Sequence, residues 1–408
     1  MKAETAIIGT GQTRTRLKRK DVCYPELLAE ACHLALLDAG LPSTAIDAIV
    51  VGSGPEFFEG VSDPELWAAG WMPAGVPVLR VATGGTVGAA ATMVADVLCR
   101  SGCNTVLAVA GDKLSESAVQ YGLSLVYSPL LGRDFAAGAP SAVANQASMY
   151  MHRYPEAGTH HLARIGVKMR ENAMKNPYAQ LRLPGLTEEA ASRMDWLSTP
   201  LRLLDSCPTS DAACALIVQR ADLAERRRLP VAYIQAMAAF SDGMNHVDRD
   251  WTWPEALRRA SQLCYDRAGI VPENLDVIEI YDAFSSQHMI WYEGLGLSHP
   301  GTGWQAIEHH AGSILGIPVN PSGGVLSNSS VGASSMIRQA EIVLQLTGRA
   351  GDRQIPDVRI GLAHGWGGAI QFHSVTILSK ERSIDGYRRE PSQAVIKEKL
   401  PDKSRSLE

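Results

Sequence analysis

No apolar run in this 408-residue chain approaches the roughly 20 residues that a membrane-spanning helix needs. No two cysteines are spaced Cys-x-x-Cys, and the seven cysteines are an odd number, mostly inside apolar stretches such as those around Cys214 and Cys264. That pattern indicates neither a disulfide framework nor a zinc ribbon. Thiols used as small hydrophobes point to a reducing, cytoplasmic compartment. Cys99 and Cys103, four apart near a helix end, read as packing residues in the same way. An excess of charge is missing too. With 38 basic and 43 acidic residues the formal net charge is −5, which gives no electrostatic reason to expect nucleic acid or an anionic membrane as a partner. The opening MKAETAIIGTGQT lacks the layout of a signal peptide and reads as a strand and a glycine turn. Its Gly-Thr-Gly also lacks the third glycine and the later acidic residue of a dinucleotide fingerprint.

What is present is a soluble, globular balance of 46% hydrophobic and 20% charged residues, long enough for one large or two medium domains. The chain is organised by an internal duplication. PELLAEACHLALLDAGLPSTAIDAIV (25–50) and PEALRRASQLCYDRAGIVPENLDVIE (254–279) align without a break at an offset of 229. Pro25 falls on Pro254, Glu26 on Glu255, Leu28 on Leu257, Gly40 on Gly269 and Asp47 on Asp276. In both copies Pro and Glu open a helix, Ala and Leu recur at helical spacing, and a glycine closes it. A strand is expected next, over Ala48–Gly52 and Val277–Tyr281. A second pair of similar segments begins at Gly84-Gly85 and at Gly323-Gly324. Each half thus reads as a β–helix–β–helix–β unit with a Gly-rich turn at a helix start, which implies mostly parallel sheets with helices packed in layers on their faces.

Residues 1–222 form the first half and 223–382 the second. Residues from about 113 to 200 break the pattern, with helical runs such as SAVANQASMYMHRY, and read as an insertion lying over the core and shaping a pocket. The stretch 383–408 is a charged, weakly periodic tail, solvated or partner-contacting.

Four blocks carry a resemblance. PLRLLDSCPTSDAACALIV (200–218), IEIYDAFS (278–285), PVNPSGGVLSNSSVGAS (318–334) and LAHGWGG (362–368) occur in order along a duplicated α/β chain. Over about residues 4–380 this resembles the thiolase superfamily, and within it the lipid-transfer-protein or sterol-carrier-type thiolase homologues. That group includes steroid side-chain aldolases and acyltransferases that work with a small OB-fold, zinc-ribbon subunit. The resemblance implies a thiolase-like α/β fold, a homodimer, such a partner subunit and an acyl-CoA thioester as substrate. It implies no covalently bound cofactor, CoA entering only as part of the substrate, and no metal ligands.

The departures matter as much. A thiolase carries its nucleophilic cysteine just before a Ser/Thr-Gly pair at a buried helix start, where the dipole supports a thiolate. With Thr83 and Gly84 in the Ser-Gly places, Val81 stands where that cysteine would be, and no cysteine lies between Cys32 and Cys99. The histidine of the family's Gly-His-Pro block is replaced within Asn328-Ser329-Ser330, and Trp366 takes the place of a tyrosine or second cysteine in the final loop.

The remaining groups suit retro-aldol cleavage of a bulky 3-hydroxyacyl-CoA, which needs a proton acceptor and donors for an enolate oxygen but no acyl-enzyme. Tyr281 is the expected acid/base, His364 the base or oxyanion donor, and Asp282 the group that orients them. Gly323-Gly324 and Gly367-Gly368 are expected to let backbone approach the thioester, with Thr83, Asn328, Ser329, Ser330 and Trp366 as further contacts. Each has a plainer reading: Tyr281 as a packed ring, Asp282 as a cap, His364 as a structural residue, Asn328–Ser330 as a turn. His160, His161, His309 and His310 read as surface residues. Acyl transfer by another nucleophile and a non-catalytic acyl-CoA-binding scaffold stay open beside the lyase.

Overall fold

A computed structural model describes residues 2–54, 63, 65–66, 70, 75–130, 132–133, 138–243, 249–387 and 389. The main-sheet strands are β1 (Thr5–Gln12), β2 (Ala48–Ser53), β3 (Val78–Val81), β4 (Thr105–Lys113), β5 (Asp211–Arg220), β6 (Ala232–Ser241), β7 (Val277–Glu279), β8 (Ile360–Gly367) and β9 (Phe372–Ser379). The principal helices are α1 (Tyr24–Ala39), α2 (Val87–Arg100), α3 (Ala139–Arg153), α4 (Thr159–Ala173), α5 (Glu255–Ala268), α6 (Gly303–His310) and α7 (Val331–Leu346).

The duplicated segments fold alike. Pro25 sits in the first turn of α1 and Pro254 caps α5, where a missing amide hydrogen costs nothing. Glu26 reaches back to the Cys23 amide, 2.7 Å away. Gly40 (φ 60°) and Gly269 (φ 66°) both end their helices in the left-handed region that glycine enters without steric cost. Asp47 and Asp276 then accept the backbone amides of neighbouring strands, Asp47 from Asn104 and Thr105, Asp276 from Arg359 and Ile360.

The strand order is β3-β2-β4-β5-β1-β6-β9-β8-β7. Read outward from the centre, β1-β5-β4-β2 and β6-β9-β8-β7 match strand for strand, so the duplication is a pseudo-twofold of the whole sheet. Within the sheet the two halves are joined through Ala6 opposite Tyr233 and Ile7 opposite Ala232. Within each half the strands run mostly one way, with a single reversed strand, β5 or β9. Each reversed strand lies inside its half, so its ladders are antiparallel, and the parallel ladders are β2–β3, β2–β4 and β7–β8. A four-residue connection between β8 and β9 requires this, since a parallel crossover needs a longer chain.

Five layers result. Leu27, Leu28, Ala31 and Ala35 of α1 cover the outer face of the first half against Ile8, Ile49 and Leu107. Ala91 and Ala95 of α2 and Ala333, Met336 and Ala340 of α7 form the middle layer with residues of both halves. Leu257 and Cys264 of α5 cover the second half's outer face. The insertion supplies α3 and α4, and their Val143, Tyr150, Leu162 and Met169 join that same cluster. The tail's first residues pack down, Ser383 pairing with Lys2 and Tyr387 bonding Asp276. Beyond 389 the tail lies outside the described residues.

The middle layer is tight. A Cβ on Gly88 of α2 would stand 2.8 Å from both the Cβ and the backbone nitrogen of Met336 on α7. Gly88→Ala is therefore expected to destabilise the fold by about 1–3 kcal/mol through overpacking, measured as a lowered urea midpoint at unchanged slope.

Candidate active site

The site starts where β7 ends. Asn320 holds the exit: its Oδ1 accepts the Ile280 amide at 2.7 Å, and its own amide donates to the Ile278 carbonyl at 2.8 Å. Regular pairing stops at Glu279, two residues earlier than the sequence suggests, because this asparagine replaces a neighbouring strand as partner. Tyr281 then emerges toward the starts of α2 and α7. Its hydroxyl lies 3.3 Å from where a Cβ on Gly85 would be, close to Ser334 in the first turn of α7. The Tyr281 amide donates to His364 Nδ1 at 3.4 Å, and its carbonyl accepts Trp291 Nε1–H at 3.1 Å.

Tyr281 faces a cavity of about 100 Å³ bounded also by Gly84, Gly85, Tyr127, Cys207, Ser329, Trp366, Gly367 and Gly368, with an apolar wall including Leu123, Val143 and Phe284. Burial pushes the Tyr281 hydroxyl above the ordinary phenol range; nearby Cys207 adds to this, and the Ser334 hydrogen bond partly offsets it. Burial likewise raises the Cys207 thiol, against a hydrogen bond with Ser329. Tyr127 is pushed up to about 12 by burial, with Arg249 pulling the other way. Near neutral pH the cavity therefore presents protonated donors and no resting thiolate. Trp366 packs edge-on to Tyr281 with ring centres 5.6 Å apart, and its Nε1 is buried with no hydrogen-bond partner among the described residues.

His364 and Trp366 do not lie in a turn. They are alternate residues of β8 and share a face, while Gly365 and Gly367 occupy the other. A Cβ on Gly365 would stand 2.8 Å from the Ser335 Cβ of α7, and one on Gly367 would overlap the Gly85 amide. The glycines make room for the central helices, which is why a strand reads as a loop in sequence.

His364 is fully engaged behind the cavity wall. Its Nδ1 accepts from Tyr281, so its Nε2–H donates to His373 Nδ1, 3.1 Å away. Burial, then the neighbouring His373, holds it well below the ordinary imidazole range. His373 falls to about 3 through burial and then Arg249. His364 is thus placed to position Tyr281, and neither of its nitrogens is left for a substrate.

Asp282 points away from the cavity. Its Oδ1 accepts the Val325 amide at 2.6 Å and its Oδ2 meets His288 Nε2 at 2.8 Å. It ties down the turn at Gly323-Gly324 and does not touch the Tyr281 hydroxyl's surroundings. Gly323 and Gly324 have positive φ and press on Ala173 and Asp282, respectively, instead of lining the cavity. Gly367 and Gly85 approach each other backbone to backbone. Thr83 holds the Thr86 hydroxyl through its carbonyl and side chain. Ser330 bonds the Ala212 carbonyl, and the buried Asn328 amide has no partner for either atom among the described residues. Of the Asn-Ser-Ser run only Ser329 lines the cavity. Val81 is half-buried against the middle layer and does not line it.

Cys207, Tyr127 and His373 were not singled out in the sequence. Cys207 had a signal, a polar Ser-Cys-Pro-Thr-Ser loop just before an apolar strand. Tyr127 and His373 had none, since one lies in the insertion and the other in a strand.

With this geometry in view, the comparisons with known proteins are consistent. Residues 238–380 match the family model "Thiolase C-terminal domain-like". An acetyl-CoA acetyltransferase of Methanothermobacter thermautotrophicus is 32% identical over 92% of this chain and 100% of its own length. Sterol carrier protein 2 of Bos taurus is 26% identical, covering 97% of this chain and 79% of that protein. Among solved structures, an Ltp2-ChsH2(DUF35) aldolase superposes with a TM-score of 0.82 at 25% identity, covering 94% of this chain and 99% of the other. Human mitochondrial 3-ketoacyl-CoA thiolase, solved with CoA, gives 0.70 at 14% identity over 92% and 98%. The chain belongs to the thiolase superfamily, with its sterol-carrier and lipid-transfer-protein-like homologues. No helix among the described residues is long and apolar enough to cross a membrane.

The two histidines give a pH test. Their folded-state values lie below the unfolded value of about 6.5, so the unfolded chain binds more protons and each histidine weakens the fold as pH drops below that value. His373→Asn, which keeps an acceptor for His364, should remove up to about 1.4 kcal/mol per pH unit of that slope. Urea unfolding of both proteins between about pH 7 and 5 measures the difference.

Proposed function

We propose that this chain is an acyl-CoA carbon–carbon lyase cleaving a bulky 3-hydroxyacyl-CoA by retro-aldol chemistry. One observation carries the reading: a protonated Tyr281 hydroxyl and an unpartnered Trp366 indole N–H border one cavity. In the cleavage, the 3-hydroxyl proton leaves, the bond between the α and β carbons breaks to give an aldehyde or ketone, and its electron pair forms the thioester enolate. Trp366 Nε1–H holds the enolate oxygen. Tyr281 gives its own proton to the α carbon as it takes the hydroxyl proton, a concerted relay in which two protons move and the phenol ends as it began; no covalent intermediate forms and no free CoA is consumed. His364 fixes Tyr281 through its backbone. The likeness to the Ltp2-ChsH2(DUF35) aldolase supports this reading. With it come the remaining parts of the proposal: a DUF35-type OB-fold, zinc-ribbon partner, a homodimer, and a steroid side-chain thioester as the bulky acyl group.

A second reading, acyl transfer, is favoured by Cys207 in the cavity and by the acetyltransferase relatives. Its thiol is raised by burial and has no base among its partners, which counts against it.

The chain, alone and with a DUF35-type subunit, should cleave 3-hydroxyacyl-CoA panels without added CoA. Tyr281→Phe should lower that rate by roughly 10²–10⁴-fold. Cleavage only of 3-oxoacyl-CoA, only with free CoA and lost in Cys207→Ser, would establish acyl transfer instead. Unchanged activity of Tyr281→Phe in the assembled complex would leave this chain as a scaffold.

A further inference from the structure

His161 is one of the histidines expected at the surface, and it is fully buried at the start of α4. Its ring lies 3.9 Å, centre to centre, from that of His160, and the Nε2 atoms of both are 2.9 Å from the same oxygen, Oε1 of Glu308 on α6. All three donor atoms fall within 4.8 Å of one another. The His160 contact is a proper hydrogen bond. The His161 contact is not: at 2.9 Å its distance is right, yet the buried Nε2 makes no hydrogen bond among the described residues.

We propose that His160, His161 and Glu308 form a binding site for a borderline divalent cation of the zinc type, clipping the insertion to the second half. Two imidazoles and a carboxylate are a zinc-type donor set, and nitrogen donors select against magnesium and calcium. The surroundings suit a ligand cluster. The Gly158 amide donates to His161 Nδ1 at 3.0 Å, which leaves the proton on Nε2 of the metal-free ring; the Gly158 carbonyl, 3.3 Å from the same Nδ1, can accept that proton when a cation displaces it from Nε2. Arg164 takes the second oxygen of Glu308 at 2.6 Å and so fixes the carboxylate with Oε1 toward the rings. Burial and the neighbouring His160 keep His161 neutral, and Glu308 is held below the usual carboxylate range, chiefly by the His160 hydrogen bond. Glu308 also borders an open groove lined by Arg164, Lys168 and Glu188, which provides an entry path. His309 and His310, next in sequence, are exposed and take no part.

The test is titration of the chelator-treated full chain with Zn²⁺ by calorimetry and thermal melting, with Co²⁺ as an optical probe. One equivalent should bind and raise the melting temperature, and the cobalt spectrum should lack a thiolate charge-transfer band. His160→Ala, at an exposed ring, and Glu308→Gln should each weaken binding at least about tenfold, while His309→Ala/His310→Ala binds as the parent does. Absence of one-to-one binding, a thiolate band, or parent-like affinity in His160→Ala and Glu308→Gln overturns the proposal.

Discussion

The position of the site depends on one buried ion pair. Arg338 of α7 donates to Glu279 at 2.6 Å, and both side chains are fully buried. Ser322 joins them, its hydroxyl 2.8 Å from the same carboxylate oxygen and 2.9 Å from the guanidinium, while its amide donates to the other oxygen. Burial drives Glu279 upward and the guanidinium pulls it back. Nε and Nη2 of Arg338 find no partner among the described residues, so the pair is not arranged for greatest stability. What it does is geometric. It pins the middle helix, the last residue of β7 and the turn at 320–323 to one point, and Tyr281 leaves the strand two residues later.

From that point the site is assembled by close backbone approach. Gly85 at the start of α2 and Gly367 at the end of β8 come from opposite halves and touch without side chains between them. Tyr281 fills the remaining gap from a third direction, and His364 and Trp291 brace its backbone. The residues that border the cavity thus stand on strand ends and helix starts that the five-layer core already fixes. The insertion supplies the apolar wall.

Much of this was legible in the sequence, and what was not has identifiable causes. Proline, a helical run, glycine and aspartate at an offset of 229 specify a local fold almost unaided, so the duplication and both capped helices were readable. That Tyr281 borders the cavity was readable because strand ends in α/β sheets face such clefts. LAHGWGG reads as a turn because glycine usually marks one, yet here glycine serves interlayer contact, which no single segment reveals. Asp282 looks catalytic beside Tyr281, but leaving the strand sends consecutive side chains to opposite sides, and it is held by His288 and by the Val325 amide of a turn some forty residues on. His161 looks exposed beside His160, though their helix carries only one of them inward. Cys207 enters the cavity by a loop whose path depends on the whole sheet.

The contact between Gly85 and Gly367 has a bearing on selectivity. Main chain against main chain has no rotamers to change, so the rear of the cavity is an inelastic wall that any ligand would meet alike. Adaptation to size and shape would then fall to the opposite side, where the half-buried Leu123 and Val126 of the insertion line the cavity. The architecture separates a rear surface of fixed shape from a front one built of side chains, so on the proposed function a change of ligand would be sought in the insertion first.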